Sequence, residues 1–268
     1  MLLRFLIHKV WHIHSLTVCH PIRYLLFSTL ICFQCTGHSQ TIKIAAIDWC
    51  PQICLDKQRP GYVIEIVNQV FKNSPYQITI DYYPWSRAIK YVTEGSYDAL
   101  LSPAKKEAPD LTYPEQAVGH QKMCFFTKAQ SSWHYRGPNS LDDQYVGVAA
   151  DTSIEELNQY IKEHPQHFQF QPYHERYVKQ NAGKVLKNRI DSFIFTLNTT
   201  NYTLAQLNLT AKFKNAGCVS VAPIYIALTP IAEKQDAMQA IASFWDKRYA
   251  ELQSQGVINK VITKYRIE

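Results

Sequence analysis

Short apolar runs alternate along this chain with longer stretches whose apolar residues recur at helical spacing, the pattern of strands interleaved with helices. Residues 41–47 (Thr-Ile-Lys-Ile-Ala-Ala-Ile) read as a strand that ends at Asp48-Trp49-Cys50-Pro51. After Gly61-Tyr62, the residues Val63, Ile64, Ile66, Val67, Val70 and Phe71 fall on one helical face, and residues 76–82 form the next strand. Pro84 stands where the first turn of a helix tolerates a residue without an N–H. Ala88, Ile89 and Val92, with Tyr91 beside them, supply the apolar stripe, Gly95 stops the helix, and residues 98–102 read as a short buried strand. This β-α-β-α-β order predicts a parallel sheet with right-handed connections.

A second series follows. Residues 121–128 read as a strand, and turn signals around Gly137-Pro138-Asn139 mark a change of unit. Residues 145–149 are a strand, and a helix over 154–164 is capped by Asp151-Thr152-Ser153. Strands over 168–172 and 189–197 flank a helix over 179–187, and another helix lies around Leu204. Residues 219–229 are strand-like, and everything from Ala232 on is helical with a break at Gly256. The chain therefore crosses out of the first unit near 121–129 and returns near 218–229. That predicts an α/β protein of two lobes, 40–127 with 222–268 and 128–221, joined by two strands, with a ligand cleft between them.

Composition adds little until the first forty residues are set apart. With 46% hydrophobic and 19% charged residues in 268, the chain reads as globular. Residues 1–39 carry Arg4, Lys9 and Arg23 and no acid, an apolar run over 24–33, and small residues Gly37 and Ser39 before a cleavage point. This is read as an export signal; the alternative, a membrane anchor, needs about 20 apolar residues. Cys35 follows the bulky Gln34, which argues against lipid attachment there. Without these residues, 25 Lys+Arg stand against 22 Asp+Glu, so the formal charge drops from +6 to +3 and no basic run supports a nucleic-acid partner. Four of the seven cysteines remain: Cys50, Cys54, Cys124 and Cys218. Two disulfides are permitted, a small clip from Cys50 to Cys54 and a long tie from Cys124 to Cys218; four buried thiols are the alternative. No histidine stands at ligand spacing beside them, and His164 and His167 flank Pro165 as a polar loop pair, so no metal and no cofactor are expected.

Ligands of open parallel sheets bind beyond the carboxyl ends of strands. Trp49, Trp85, Arg87 and Ser102 stand at such ends, and Tyr62 opens a helix beside a glycine. Both tryptophans serve equally as core or rim packing. Asp151, Thr152 and Ser153 either present helix N–H groups to an anion or simply cap the helix. Asn181 reads as a cap rather than a contact.

The ordered motifs resemble the bacterial extracellular solute-binding proteins of family 3. They are Trp49-x-Pro51, Gly61-Tyr62-x-x-Glu65-Ile66-Val67, Pro84-Trp85-x-Arg87-Ala88, Gly95-x-x-Asp98-Ala99, Ser140-Leu141 before Val146-Gly147-Val148, and Asn181-x-x-Lys184-x-Leu186-x-x-Arg189-Ile190-Asp191. The resemblance implies a type II periplasmic-binding-protein fold whose lobes close on a small solute by hinge bending. It also implies a periplasmic monomer that serves the permease of an ABC importer. Such proteins clamp an amino-acid carboxylate with an arginine after the strand containing Asp98. Here no arginine occurs between Arg87 and Arg136, and Lys105, Lys106 or Glu107 stands there. At the position that usually holds the ligand ammonium through an aspartate, this chain has Thr196. The alternatives are a sensor or partner-binding module with a degenerate cleft, and a periplasmic dehydratase of the same fold. No Ser-His-Asp or Cys-His order points to catalysis.

Overall fold

The computed structural model describes residues 40–150 and 152–265; the expected export signal over 1–39 and Asp151 lie outside them. The first sheet has the strand order β2-β1-β3-β9, built from β1 (Gln40–Ala46), β2 (Tyr76–Tyr82), β3 (Ala99–Leu101) and β9 (Ile226–Leu228). The first three are parallel, and β9 returns antiparallel to β3. Ile42, Ile44, Ala45 and Ala46 on β1 are fully buried, as expected of a parallel strand covered on both faces. Helix α1 (Tyr62–Phe71) buries Ile66, Val67, Val70 and Phe71, and α2 (Trp85–Thr93) buries Trp85, Ala88 and Val92. Pro84 sits immediately before α2 rather than in its first turn. Gly95 follows α2 with φ +77°, and a Cβ there would lie 2.7 Å from Ile231 Cγ1.

The second sheet has the order β6-β5-β7-β4-β8. Its strands are β4 (Gly119–Lys128), β5 (Val146–Ala149), β6 (Phe168–Gln171), β7 (Ser192–Thr196) and β8 (Phe213–Ile224). β5 runs parallel to β6 and β7, while β4 is antiparallel to both β7 and β8. Helices α3 (Asn158–Glu163), α4 (Tyr177–Leu186) and α5 (Leu197–Gln206) belong to this lobe. The chain then returns, and α6 (Gln235–Ser254) and α7 (Val257–Lys264) pack on α1 of the first lobe. Trp245 of α6 is fully buried beside Phe71, with its indole N–H donating to Gln116 O at 2.9 Å.

Three boundaries differ from expectation. The single strand expected over 219–229 is two strands in two sheets, separated at Tyr225. β8 starts earlier, at Phe213, because it pairs with β4 along its length, and the polar residues Lys212, Lys214 and Asn215 around Phe213 hide that pairing from an apolar-run reading. All of β4 and β8 lies in the second sheet, so the exchange between sheets falls at residues 102–118 and at Tyr225 rather than at 127/128 and 221/222. The helix expected over 154–164 is a 3-10 turn followed by the six residues of α3, none of whose side chains is buried. Asn181 is not a cap. It is buried inside α4, where Nδ2 donates to Tyr177 O at 3.0 Å.

The last helix is pinned to the first. Glu65 accepts from Lys264 Nζ at 2.5 Å and from Tyr265 Oη at 2.6 Å. Burial alone would raise the Glu65 pKa, but these two hydrogen bonds and the Lys264 charge hold it below the usual carboxylate value. Tyr265 is pushed up to about 12, first by burial and then by the Glu65 contact. A carboxylate with a lowered folded-state pKa contributes stability above its unfolded pKa and loses it as pH falls through the folded value. Glu65→Gln is therefore expected to cost about 1 kcal/mol at pH 7 in urea denaturation, with the difference shrinking as pH drops below the ordinary carboxylate range. An unchanged difference at pH 3 would show that the charge is irrelevant to the pin.

Candidate functional site: a cavity at the seam of the two lobes

The site begins with a tight loop after β1. The backbone N–H of Trp49 donates to Ile53 O at 2.6 Å, that of Gln52 returns to Trp49 O at 2.9 Å, and Cys50 and Cys54 are joined in a disulfide. The same loop satisfies the first-turn N–H groups of α1, with Tyr62 donating to Pro51 O and Val63 to Gln52 O. Trp49 is thus held by a loop fixed at both ends. The second disulfide joins Cys124 and Cys218, which face each other on β4 and β8.

Across the seam, the Trp49 indole N–H donates to Thr196 Oγ1 at 3.1 Å. The Tyr173 hydroxyl donates to the Asp48 carbonyl at 2.8 Å, and the Thr199 hydroxyl to Gln52 Oε1 at 3.4 Å. These bonds run from the loop after β1 to the end of β7, the start of α5 and the turn after β6. Burial strongly raises the Tyr173 pKa, with Asp48 and Glu175 adding to it, so its hydroxyl stays a neutral donor.

Between these bonds lies a cavity of about 20 Å³, room for about one water molecule. Ile47, Trp49, Trp85, Ser102 and Glu107 line it from the first lobe, and Gln121, Thr152, Tyr173, Phe195 and Thr196 from the second. The rings of Tyr173 and Phe195 stack with centroids 5.1 Å apart. Ser102, only 1% exposed, has the left-handed φ of +65°, and its Oγ has no hydrogen-bond partner. A serine in that region at the end of a buried strand is a strained residue of the kind found at ligand sites. Its backbone N–H donates to Tyr225 O at 2.7 Å, which ties it to the crossing between sheets.

Of the residues singled out from sequence, Trp49, Trp85, Ser102, Thr152 and Thr196 come together at this cavity. Four others do not line it. Tyr62 is a core residue 1% exposed, with its ring set edge-on to Tyr265. Arg87 points off the exposed face of α2, one residue around from the buried Ala88. The Lys105 ammonium lies over the Tyr225 ring at 4.9 Å from its centroid and over Tyr113 at 5.7 Å. Ser153 Oγ accepts from Asn158 Nδ2 at 2.8 Å. Ile47, Gln121, Tyr173 and Phe195 were not anticipated. Gln121, which is 4% exposed, had no readable signal, because His120 and Lys122 flank it and make that end of β4 polar throughout.

Two α/β lobes joined by two chain crossings, at residues 102–118 and at Tyr225, with a cavity lined from both, define the type II periplasmic-binding-protein fold. Solved structures of that fold superpose over most of the chain. A histidine kinase sensor domain with similarity to periplasmic binding proteins matches with a TM-score of 0.69 at 16% identity, covering 85% of this chain and 96% of its own. A putative L-cystine ABC transporter protein from Listeria monocytogenes matches at 0.67 and 17%, covering 84% and 95%. A probable amino-acid ABC transporter extracellular-binding protein from Bacillus subtilis matches at 0.62 and 19%, covering 84% and 97%. At these identities the likeness is one of fold. No family model and no curated protein matches the sequence.

Proposed function

We propose that this chain is an exported, non-catalytic substrate-binding protein that holds a small polar solute between its lobes and delivers it to the permease of an ABC importer. The observation that carries this reading is the seam cavity itself. Aromatic walls and single polar groups converge on it from both lobes, so a solute admitted when the lobes part would contact both and favour their approach over their separation. Trp49, Trp85, Ser102, Thr152 and Thr196 are its proposed contacts. The strain at Ser102 supports it, and several structures of the same fold are described as ABC transporter binding proteins. Residues 1–39 serve as the export signal in this reading, and the periplasm is its place of work.

A second reading, a sensor or partner-binding module, is favoured by one observation: the three seam hydrogen bonds leave only about 20 Å³ in the cavity where Trp49, Trp85, Ser102, Thr152 and Thr196 meet. A thermal-denaturation screen against a broad panel of small metabolites separates the two. A captured solute present at a hundred times its dissociation constant is expected to stabilise the protein by about 2.7 kcal/mol. Folded protein that responds to none of the panel would overturn solute capture in favour of the second reading.

A further inference from the structure

The exposed face of α4 concentrates positive charge in one groove, which shares no residue with the seam cavity. Arg176, Lys179, Lys184, Lys187 and Arg189 line this groove of about 470 Å³, and among the described residues no acid lines it. Arg176, Lys179, Gly183 and Lys187 fall at helical spacing, on the side opposite the buried Val178, Ala182 and Val185. From Arg176 to Lys187 the stripe is about 16 Å long at the helical rise. Arg176 meets Glu175 at 3.4 Å in an exposed pair, which neutralises it only weakly. No ion pair joins the other four cations to an acid among the described residues.

Helix formation does not account for this pattern. Lys184 and Lys187 stand near the C-terminal end of α4, where cations complement the macrodipole, but Arg176 and Lys179 stand at the N-terminal end, where they oppose it. Lys184 and Lys187, three positions apart, also repel each other. Burial lowers the Lys184 pKa, and its ammonium donates to Gln171 Oε1, an uncharged acceptor. An anion in the groove offsets each of these penalties. Gly183 leaves room for one. It stands inside the helix, where glycine is unfavourable, and a Cβ there would meet nothing within 4 Å, so no neighbouring element requires its absence. The missing side chain leaves the floor of the groove open at its centre.

The arrangement selects among anions. A single phosphate needs donors that converge, and here Arg176 precedes α4 while Arg189 follows it. A bilayer surface is flat and meets protruding groups, whereas these cations flank a groove. A row of single carboxylates matches charges strung along the helix, and three of the five cations are lysines, point charges that each suit one carboxylate. Leu186, exposed three positions beyond Gly183, borders the stripe and offers an apolar contact to a polypeptide. We propose that this groove is a docking site for an acidic segment of a partner protein, lying along α4 with its carboxylates against the cations and its backbone passing over Gly183. The proposal goes beyond solute capture and does not depend on what the seam cavity holds.

Fluorescence-anisotropy titration of the protein with labelled hexaglutamate tests it, with tripolyphosphate and phosphatidylglycerol vesicles as the other anions. Hexaglutamate is expected to bind, more weakly as ionic strength rises, and at least about tenfold more tightly than tripolyphosphate. Lys179→Gln combined with Lys187→Gln is expected to weaken the peptide about tenfold. Gly183→Leu changes no charge but fills the groove, and it is expected to weaken the peptide about tenfold without lowering Tm. Wild-type affinity in Gly183→Leu would reduce the binding to diffuse attraction by a charged face and would overturn the docking site. Tighter binding of tripolyphosphate would overturn it in favour of a small-oxyanion site, and binding to vesicles without binding to the peptide in favour of a membrane contact. Failure of all three probes would overturn it outright.

Discussion

Gly61→Ala is expected to destabilise the protein by about 3 kcal/mol and to loosen the loop that carries Trp49. Gly61 has φ +95°, where an L side chain is strained, and a Cβ there would lie 2.3 Å from Gln52 O and 2.8 Å from Ile53 N. Both neighbours are backbone, so neither can swing aside. The carbonyls of Pro51 and Gln52 accept the first N–H groups of α1, and Cys54 N–H donates to Pro60 O at 2.8 Å. Displacing Gln52 therefore disrupts the start of the helix and the turn behind the cavity together. Gly137→Ala is the control. Gly137 has φ +111° but nothing within 4 Å of its added Cβ, so it carries the backbone strain without the clash and is expected to cost about 1–2 kcal/mol. Urea denaturation of the two variants reads the difference. Equal costs would mean that the loop yields and that Gly61 does not fix the position of Trp49.

Loss of the Cys124–Cys218 bond is the second large effect. The two cysteines are 94 positions apart in sequence, and cross-linking so long a loop restricts the unfolded chain strongly. Replacing both with alanine is expected to cost about 2–4 kcal/mol. The position adds to the effect. The β4/β8 register shifts between Lys122 and Cys124 and again between Cys124 and Phe126, so the ladder is irregular on both sides of the bond. The covalent link holds the outer part of β8, from Phe213 to Asn215, in place against β4. The Cys50–Cys54 bond closes a loop of sequence separation 4 and restricts the unfolded chain far less. Reduction of wild-type protein is thus expected to lower the urea midpoint by little more than the double variant does. A midpoint unchanged in the double variant would mean that packing alone sets the register.

How much of the site was readable depends on which side of an element each residue takes. Trp85 opens α2, and Ala88 and Val92 follow at the spacing of one helical face, so its burial was legible. The same phase turns Arg87 outward, although its nearness to a strand end suggested the cleft. Tyr62 was legible as core by the same rule, since Ile66 and Val70 stand four and eight positions on. Strand ends mark where a site lies; helical phase decides which side chain reaches it. Tyr173 and Phe195 had no such signal. Tyr173 belongs to an irregular turn, and Phe195 lies one position before Thr196, where strand alternation assigns them opposite faces, yet at the end of β7 both reach the cavity.

The sequence by itself determined the alternation of strands and helices, the two units and the ends of strands at which Trp49, Trp85, Ser102 and Thr196 stand, because these follow from local periodicity and turn chemistry. Only the tertiary structure decided that β4 and β8 form one pair in the second sheet. It alone set Trp49 against Thr196, 147 positions apart, and turned Lys105 onto Tyr225 and away from the cavity. Those outcomes depend on strand pairing and on competition among side chains distant in sequence, and local periodicity carries no information about either.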